Sequence, residues 1–210
     1  MSSKKHPEEA RPGAGFSRRG FLRGTGLASG ALGAGLLDQA EAQSTPAVIS
    51  GEVPVKLTIN GKPHTLKIEP RVTLCDALRE RLELTGAKRV CDRGTCGACT
   101  VIVDRKAVYS CTVLAIDVQG KQIQTVEGLT NGARPHPIVP AFANNDGLQC
   151  GYCTPGFVVA SKAFLDRNPN PTYEQVKAGL GGNLCRCGTY VGIRQAVLEA
   201  AKELRGGRNA

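Results

Sequence analysis

The period of the hydrophobic pattern changes along this chain. Residues 55–59 alternate apolar and polar side chains, Asn60-Gly61 is a two-residue turn signal, and Leu66 and Ile68 resume the alternation, which predicts a β-hairpin. Thr73 with Asp76 has the form of a capping box, and Leu74, Ala77, Leu78 and Leu82 share one face of a helix expected to end near Gly86. Strand-like runs follow at 100–103, 108–114 and 122–126. Beyond Gly128 the period becomes helical. Residues 137–145, 155–167, 173–180 and 190–204 each read as a helix, separated by Gly, Pro and Asn, and Thr172 with Gln175 forms a second capping box. A strand-rich half followed by a helical half places the chain in the α+β class.

The first forty-two residues do not share this pattern. Ser17-Arg18-Arg19-Gly20-Phe21-Leu22-Arg23 sets an arginine pair before an apolar dipeptide, residues 24–37 form an uncharged Gly/Ala-rich run, and Ala40-Glu41-Ala42 is a small-x-small cleavage pattern. Together they predict a twin-arginine signal peptide over 1–42, cut after Ala42, and hence a periplasmic protein exported already folded. The run is shorter than the ~20 residues of a bilayer span, so no permanent transmembrane anchor is expected. Residues 43–52 then read as a linker, 53–130 and 131–206 as two domains, and 207–210 as a tail.

Composition narrows the class of partner. The formal charge of the 210-residue chain is +9; residues 1–42 hold six basic and four acidic side chains, so +7 remains without them. Basic residues are spread along the chain with no aromatic-interleaved basic motif, and a nucleic-acid partner is not expected. Tryptophan is absent and aromatics make up 4%. Two small domains with few large rings would gain from metal staples.

Eight of the nine cysteines fall into two compact sets. Cys91, Cys96, Cys99 and Cys111 read C-x4-C-x2-C-x11-C, the ligand order of plant-type ferredoxins, and the loop Val90-Cys91-Asp92-Arg93-Gly94-Thr95-Cys96-Gly97-Ala98-Cys99 has the small residues that let backbone N–H groups approach cluster sulfurs. With strands before and after the first helix, this predicts a ferredoxin-like β-grasp with its cysteine loop between the helix and a strand. Cys111 is expected in a strand. A pair of disulfides is the competing reading of this set. Cys150-x2-Cys153 and Cys185-x-Cys187, thirty-one residues apart, lie at ends of the predicted helices, so a four-helix arrangement can gather them. Tetrahedral zinc competes here, although one residue between Cys185 and Cys187 is shorter than the usual zinc spacing.

The remaining polar residues carry less. Cys75 reads as a small buried hydrophobe. His6 lies in the signal arm, and His64 and His136 read as structural imidazoles. Arg186, between two cysteines, would pair with a partner carboxylate or offset the charge of a thiolate-bound cluster. No dinucleotide fingerprint is present, so a flavin would sit on another subunit.

Three segments together resemble the small, two-cluster subunit of the molybdenum hydroxylases, the xanthine oxidase and aldehyde oxidoreductase family. They are Cys91-Asp-Arg-Gly-Thr-Cys96-Gly-Ala-Cys99-Thr, Gly147-Leu-Gln-Cys150-Gly-Tyr-Cys153-Thr-Pro-Gly156 and Gly182-Asn-Leu-Cys185-Arg-Cys187-Gly, within a similarity spanning about residues 53–205. Gly188-Thr189-Tyr190 departs from the Thr-Gly-Tyr order of many members. It is similar to the periplasmic aldehyde oxidoreductase and isoquinoline 1-oxidoreductase types. The resemblance implies two [2Fe–2S] clusters held by the eight cysteines, the first toward solvent and the second beside a molybdopterin-type molybdenum cofactor. That cofactor would be held by a large partner subunit and contacted by Gln149 and Cys187. It implies the electron-transfer subunit of an oxidoreductase complex acting on aldehydes or N-heterocycles. Catalytic residues would then lie on the partner and none here, with an FAD subunit or c-type cytochrome as acceptor. The rival reading is a free-standing exported ferredoxin-like carrier.

Overall fold

In the computed structural model, residues 49–130 and 134–207 are described; the expected signal peptide, with Arg18, Arg19 and His6, lies outside them. The predicted hairpin forms from β1 (Val53–Ile59) and β2 (Lys62–Ile68), paired antiparallel from Val53 against Ile68 to Ile59 against Lys62. Asn60 and Gly61, at φ 50° and 77°, turn the chain in the left-handed conformation that a two-residue hairpin loop requires. β3 (Thr100–Val103), β4 (Lys106–Tyr109) and β5 (Gln122–Gln124) complete a sheet of order β2-β1-β5-β3-β4, with β1 and β5 parallel at its centre. That order is a β-grasp, as expected.

Two local expectations change. The first helix begins where the capping box puts it, the Thr73 hydroxyl accepting from the Asp76 amide at 3.1 Å. However, α1 (Leu74–Asp76) passes directly into a π-helical turn (Ala77–Arg81) and stops well before Gly86. The Leu84 amide donates back to the Leu78 carbonyl at 2.9 Å while Glu83 takes φ 56°, and Arg79 binds the Thr85 and Ala87 carbonyls at 3.0 Å each. The arginine thus supplies the partners that further helical turns would have supplied. Likewise the strand expected over 108–114 ends at Tyr109. Cys111 sits instead in a 3-10 turn (Ser110–Thr112), held by Ser110, whose amide and hydroxyl both donate to the Cys99 carbonyl. That turn points the thiol inward, whereas a strand would have alternated it.

The helical half contains a short α2 (Glu127–Thr130), which the pattern did not predict, and then the four expected helices. These are α3 (Ile138–Asn144), α4 (Thr154–Arg167), α5 (Tyr173–Gly179) and α6 (Tyr190–Gly206). Both halves of the Thr172–Gln175 capping box are formed, an arrangement typically worth ~1 kcal/mol. Val55, Leu57, Ile59, Leu74, Leu78, Val101 and Ile123 form one hydrophobic core under the sheet. Phe142, Phe157, Val176, Ile193, Val197 and Ala200 form a second between the helices, joined by Ile102 from β3. Full burial of such side chains contributes about 1.5–3 kcal/mol each, so each half carries its own stabilising centre.

His136 is a structural imidazole, its Nδ1 accepting from the Ile138 amide at 3.2 Å while burial, with Lys162 nearby, lowers its pKa. His64 is half-buried in β2. Among the described residues no helix is long and apolar enough to cross a membrane.

Candidate metal centres

The first cysteine loop leaves the sheet's helix at Arg89, whose guanidinium binds Asp76 at 2.6 Å and Glu80 at 3.4 Å. Beyond that anchor the chain curls back on itself. The Gly94 amide donates to Cys111 Sγ and the Thr95 amide to Cys91 Sγ, both at 3.3 Å, so the loop does aim N–H groups at sulfur. Cys99 and Cys111 are buried, and Cys91 and Cys96 are half-buried. The four thiols lie near enough to perturb one another, Cys91 beside Cys96 and Cys111 beside both Cys99 and Cys91.

The second set is assembled from two loops. Cys150 precedes α4 and Cys153 caps it, while Cys185 and Cys187 lie in the turn before α6. Here too the thiols are neighbours, Cys150 beside Cys187 and Cys153 beside Cys185, with Cys150 also close enough to Cys185 and Cys153 to perturb them. Cys150 and Cys187 face the exterior, and Cys185 is buried. Tyr190 fixes the turn: its hydroxyl oxygen accepts from the Cys185 amide at 2.9 Å, and its ring meets Phe157 edge-on at 6.2 Å.

Electrostatics divide each set into thiols that ionise readily and thiols that do not. Hydrogen bonding from the Arg93 amide, against a smaller opposing effect of burial, draws Cys91 down to about 6, whereas burial pushes Cys111 up to about 11. Burial also pushes Cys153 up to about 12. It acts upward on Cys185 as well, but hydrogen bonds from the Thr189 hydroxyl and amide, together with those from the Cys153 thiol and the Cys187 amide, outweigh it and bring that thiol to about 7. Cys185 therefore loses its proton before Cys153, and metal binding displaces the proton of the latter.

Four neighbouring thiols in each set match the donor set of a dinuclear cluster with two cysteines on each iron. All nine cysteines are free thiols. The residues fit two [2Fe–2S] clusters, each able to accept and release one electron when bound.

The Gly188-Thr189 order has a structural consequence. Gly188 takes φ 78°, a conformation costly for threonine, and Thr189 then sets its hydroxyl 3.2 Å from Cys185 Sγ and 3.3 Å from the Gly147 carbonyl. Once Cys185 is ionised, the hydroxyl proton turns to the sulfur. Donors to cluster sulfurs favour the reduced, more negative state. Thr189→Val is therefore expected to lower the reduction potential of the second centre alone, measured by redox titration of the two spectroscopic signals.

Gln149 lies exposed in the bend before Cys150 rather than at a helix end, and Arg186 is exposed. Val90, Tyr152 and Leu184, each more than half exposed, line one cavity of about 470 Å³ together with Cys96, Cys150, Cys153 and Cys185. Cys75 is buried against Cys99 and Cys111, as a small hydrophobe would be. Sequence reasoning named Thr189 and Asn183 only within family motifs and did not mark them, or Tyr109, as neighbours of the centres, because a motif says nothing of where a side chain reaches.

A family profile described as "2Fe-2S iron-sulfur cluster binding domain" matches residues 57–129, and one described as "[2Fe-2S] binding domain" matches 125–198. The chain is 40% identical over 181 residues to the aldehyde oxidoreductase iron-sulfur-binding subunit PaoA of Escherichia coli O157:H7, covering 78% of this chain and 79% of that one. It is 44% identical over 155 residues to the nicotine 6-hydroxylase small subunit of Paenarthrobacter nicotinovorans, covering 74% and 93%. Among solved structures it is similar to quinoline 2-oxidoreductase from Pseudomonas putida 86, with TM-score 0.71, 40% identity and coverage of 75% of this chain and 99% of that one. The aldehyde oxidoreductase from Desulfovibrio desulfuricans ATCC 27774 has TM-score 0.70 and 40% identity, and the match covers 73% of this chain but 17% of that longer one.

Proposed function

Because this chain belongs to the iron–sulfur small subunits of the molybdenum hydroxylase family, we propose that the eight cysteines of its two sets carry electrons one at a time between a large partner and an external acceptor. The observation that carries the reading is the gathering of four neighbouring thiols in each set, with backbone N–H groups aimed at sulfur in the first. Cys91 and Cys96 would share one iron and Cys99 and Cys111 the other; Cys150 would share with Cys187, and Cys153 with Cys185. The chain's part is to hold these thiolates, shield the buried members from water and direct backbone N–H groups at them.

The second set is the one we place beside the partner's molybdenum cofactor. Cys150 and Cys187 are exposed, Gln149 is exposed next to them, and Tyr152 and Leu184 leave an apolar surface around the same opening. Exposed apolar side chains rimmed by polar groups suit a protein interface. In this arrangement Gln149 offers an amide to the cofactor and Cys187 stands at its edge. Electrons then leave through the first set toward an FAD subunit or c-type cytochrome. The reaction class is oxidation of an aldehyde or N-heterocycle, with its substrate site on the large subunit. We divide the chain near residue 130, the sheet's core before it and the helical core after it except for Ile102 and Leu129, which reach across.

Purified with its partners and analysed for metals, the chain is expected to contribute about four irons with matching acid-labile sulfide, no zinc, and two distinguishable reduced-cluster signals in electron paramagnetic resonance. Zinc in place of iron, or one signal from fully loaded protein, refutes the reading. For location, we propose export through the twin-arginine route. Arg18→Lys with Arg19→Lys is expected to retain the protein in the cytoplasm, and undiminished periplasmic protein on fractionation rejects that assignment.

A further inference from the structure

Three consecutive residues just before Cys185 are each bonded to the half that carries the first cysteine set. Tyr109 donates its hydroxyl to the Gly182 carbonyl at 2.7 Å, Asn183 donates its side-chain amide to the Gly97 carbonyl at 2.9 Å and to the Thr100 hydroxyl at 3.3 Å, and the Leu184 amide donates to the Cys96 carbonyl at 2.9 Å. Asn183 is 7% exposed, so these bonds are sheltered from competing water. Its orientation is unambiguous, because a carbonyl can only accept and the NH2 group must face Gly97. Thr100 in turn donates to that same Gly97 carbonyl at 2.6 Å, closing a small network.

The Leu184 amide belongs to the residue before Cys185, and the Cys96 carbonyl belongs to a first-set cysteine. One hydrogen bond therefore joins a backbone path from Cys96 to Cys185. The Leu184 amide has no side chain to aim it; its neighbour does. Asn183 pins the turn on Gly97, the residue after Cys96, so the two cysteine loops are locked one residue away from their point of contact. Gly97 is itself too close for any side chain, since a Cβ there would stand 2.7 Å from the Asn183 amide.

We propose that Asn183 is a positioning residue for electron transfer between the two centres, holding the Cys185–Cys187 turn in register on the Cys96–Cys99 loop. This rests on the two-cluster reading above. Removing the amide leaves the Gly97 carbonyl and the Thr100 hydroxyl bonded to each other but no longer to the turn, which is then freer to shift. Tunnelling falls exponentially with the gap, so a small shift slows transfer without disturbing either ligand set.

The test compares the assembled complex with wild-type chain, Asn183→Ala and Tyr109→Phe. In Asn183→Ala, iron content and both individual signals are expected to persist. Three changes are expected: loss of the magnetic splitting between the two reduced centres, a lower turnover number at unchanged KM, and faster amide exchange at Leu184. Tyr109→Phe, which removes one hydroxyl, is expected to weaken the splitting with iron retained. Unchanged splitting in Asn183→Ala overturns the proposal. So does loss of the second signal there combined with unchanged splitting in Tyr109→Phe, since Asn183 would then serve folding alone. A single signal in the wild-type complex overturns the two-cluster reading itself, and the proposal with it.

Discussion

Cys187→Ser in the assembled complex is expected to remove the second centre's paramagnetic signal and stop turnover, while the first centre's signal survives. Cys96→Ser is expected to reverse the effect on the two signals. The asymmetry follows from packing. Cys99 and Cys111 of the first set pack in a small cluster with Cys75, whereas Cys185 and Cys153 of the second belong to the helical core, so neither packing depends on the other set's cysteines. Cys187 is exposed and pairs with Cys150, so its replacement removes a sulfur and leaves the interior intact. Even an outer-shell partner of a metal ligand is worth about 10–100-fold in affinity or activity, and a ligand is worth more. Equal loss of both signals from either variant would point to a shared folding defect and contradict independent centres.

Gly156→Ala is the second large effect expected. A Cβ at Gly156 on α4 would stand 2.5 Å from the Gly97 carbonyl and 3.0 Å from Ala98 Cα, and both are backbone. Neither can rotate aside. Gly97 and Ala98 lie between two first-set cysteines, and Gly156 follows the second-set residue Cys153 by three positions. Overpacking of this kind costs about 1–3 kcal/mol, and here it falls on the surface that joins the two cysteine-bearing loops. The expected result is a lowered melting temperature together with weaker coupling between the two signals. Gly206→Ala, where nothing lies within 4 Å, is the control and is expected to leave both unchanged. Equal behaviour of the two variants would mean that α4 does not bear directly on the first loop.

Much of this was legible because the relevant physics is local. The Asn60-Gly61 hairpin, the caps at Thr73 and Thr172 and the four long helices depend on side chains within a few residues of one another. The cysteine spacings are local as well, and they carried the family and the donor set. What failed was decided at a distance or by one intervening group. The first helix stops early because Arg79 reaches forward to Thr85 and Ala87, and Cys111 leaves the strand because Ser110 ties its turn to Cys99. Short α2 had no periodic pattern long enough to announce it.

Sequence alone therefore singled out the eight cysteines proposed to hold iron, since ligand chemistry and chain spacing are properties of short segments. Only the tertiary structure decided which sulfur meets which, which thiols stay buried, and how one set touches the other. Those depend on contacts between residues as far apart as Gly97 and Asn183 or Tyr109 and Gly182. A hydrogen bond between such residues exists only after both halves have packed, because it is the packing that excludes water and brings donor to acceptor.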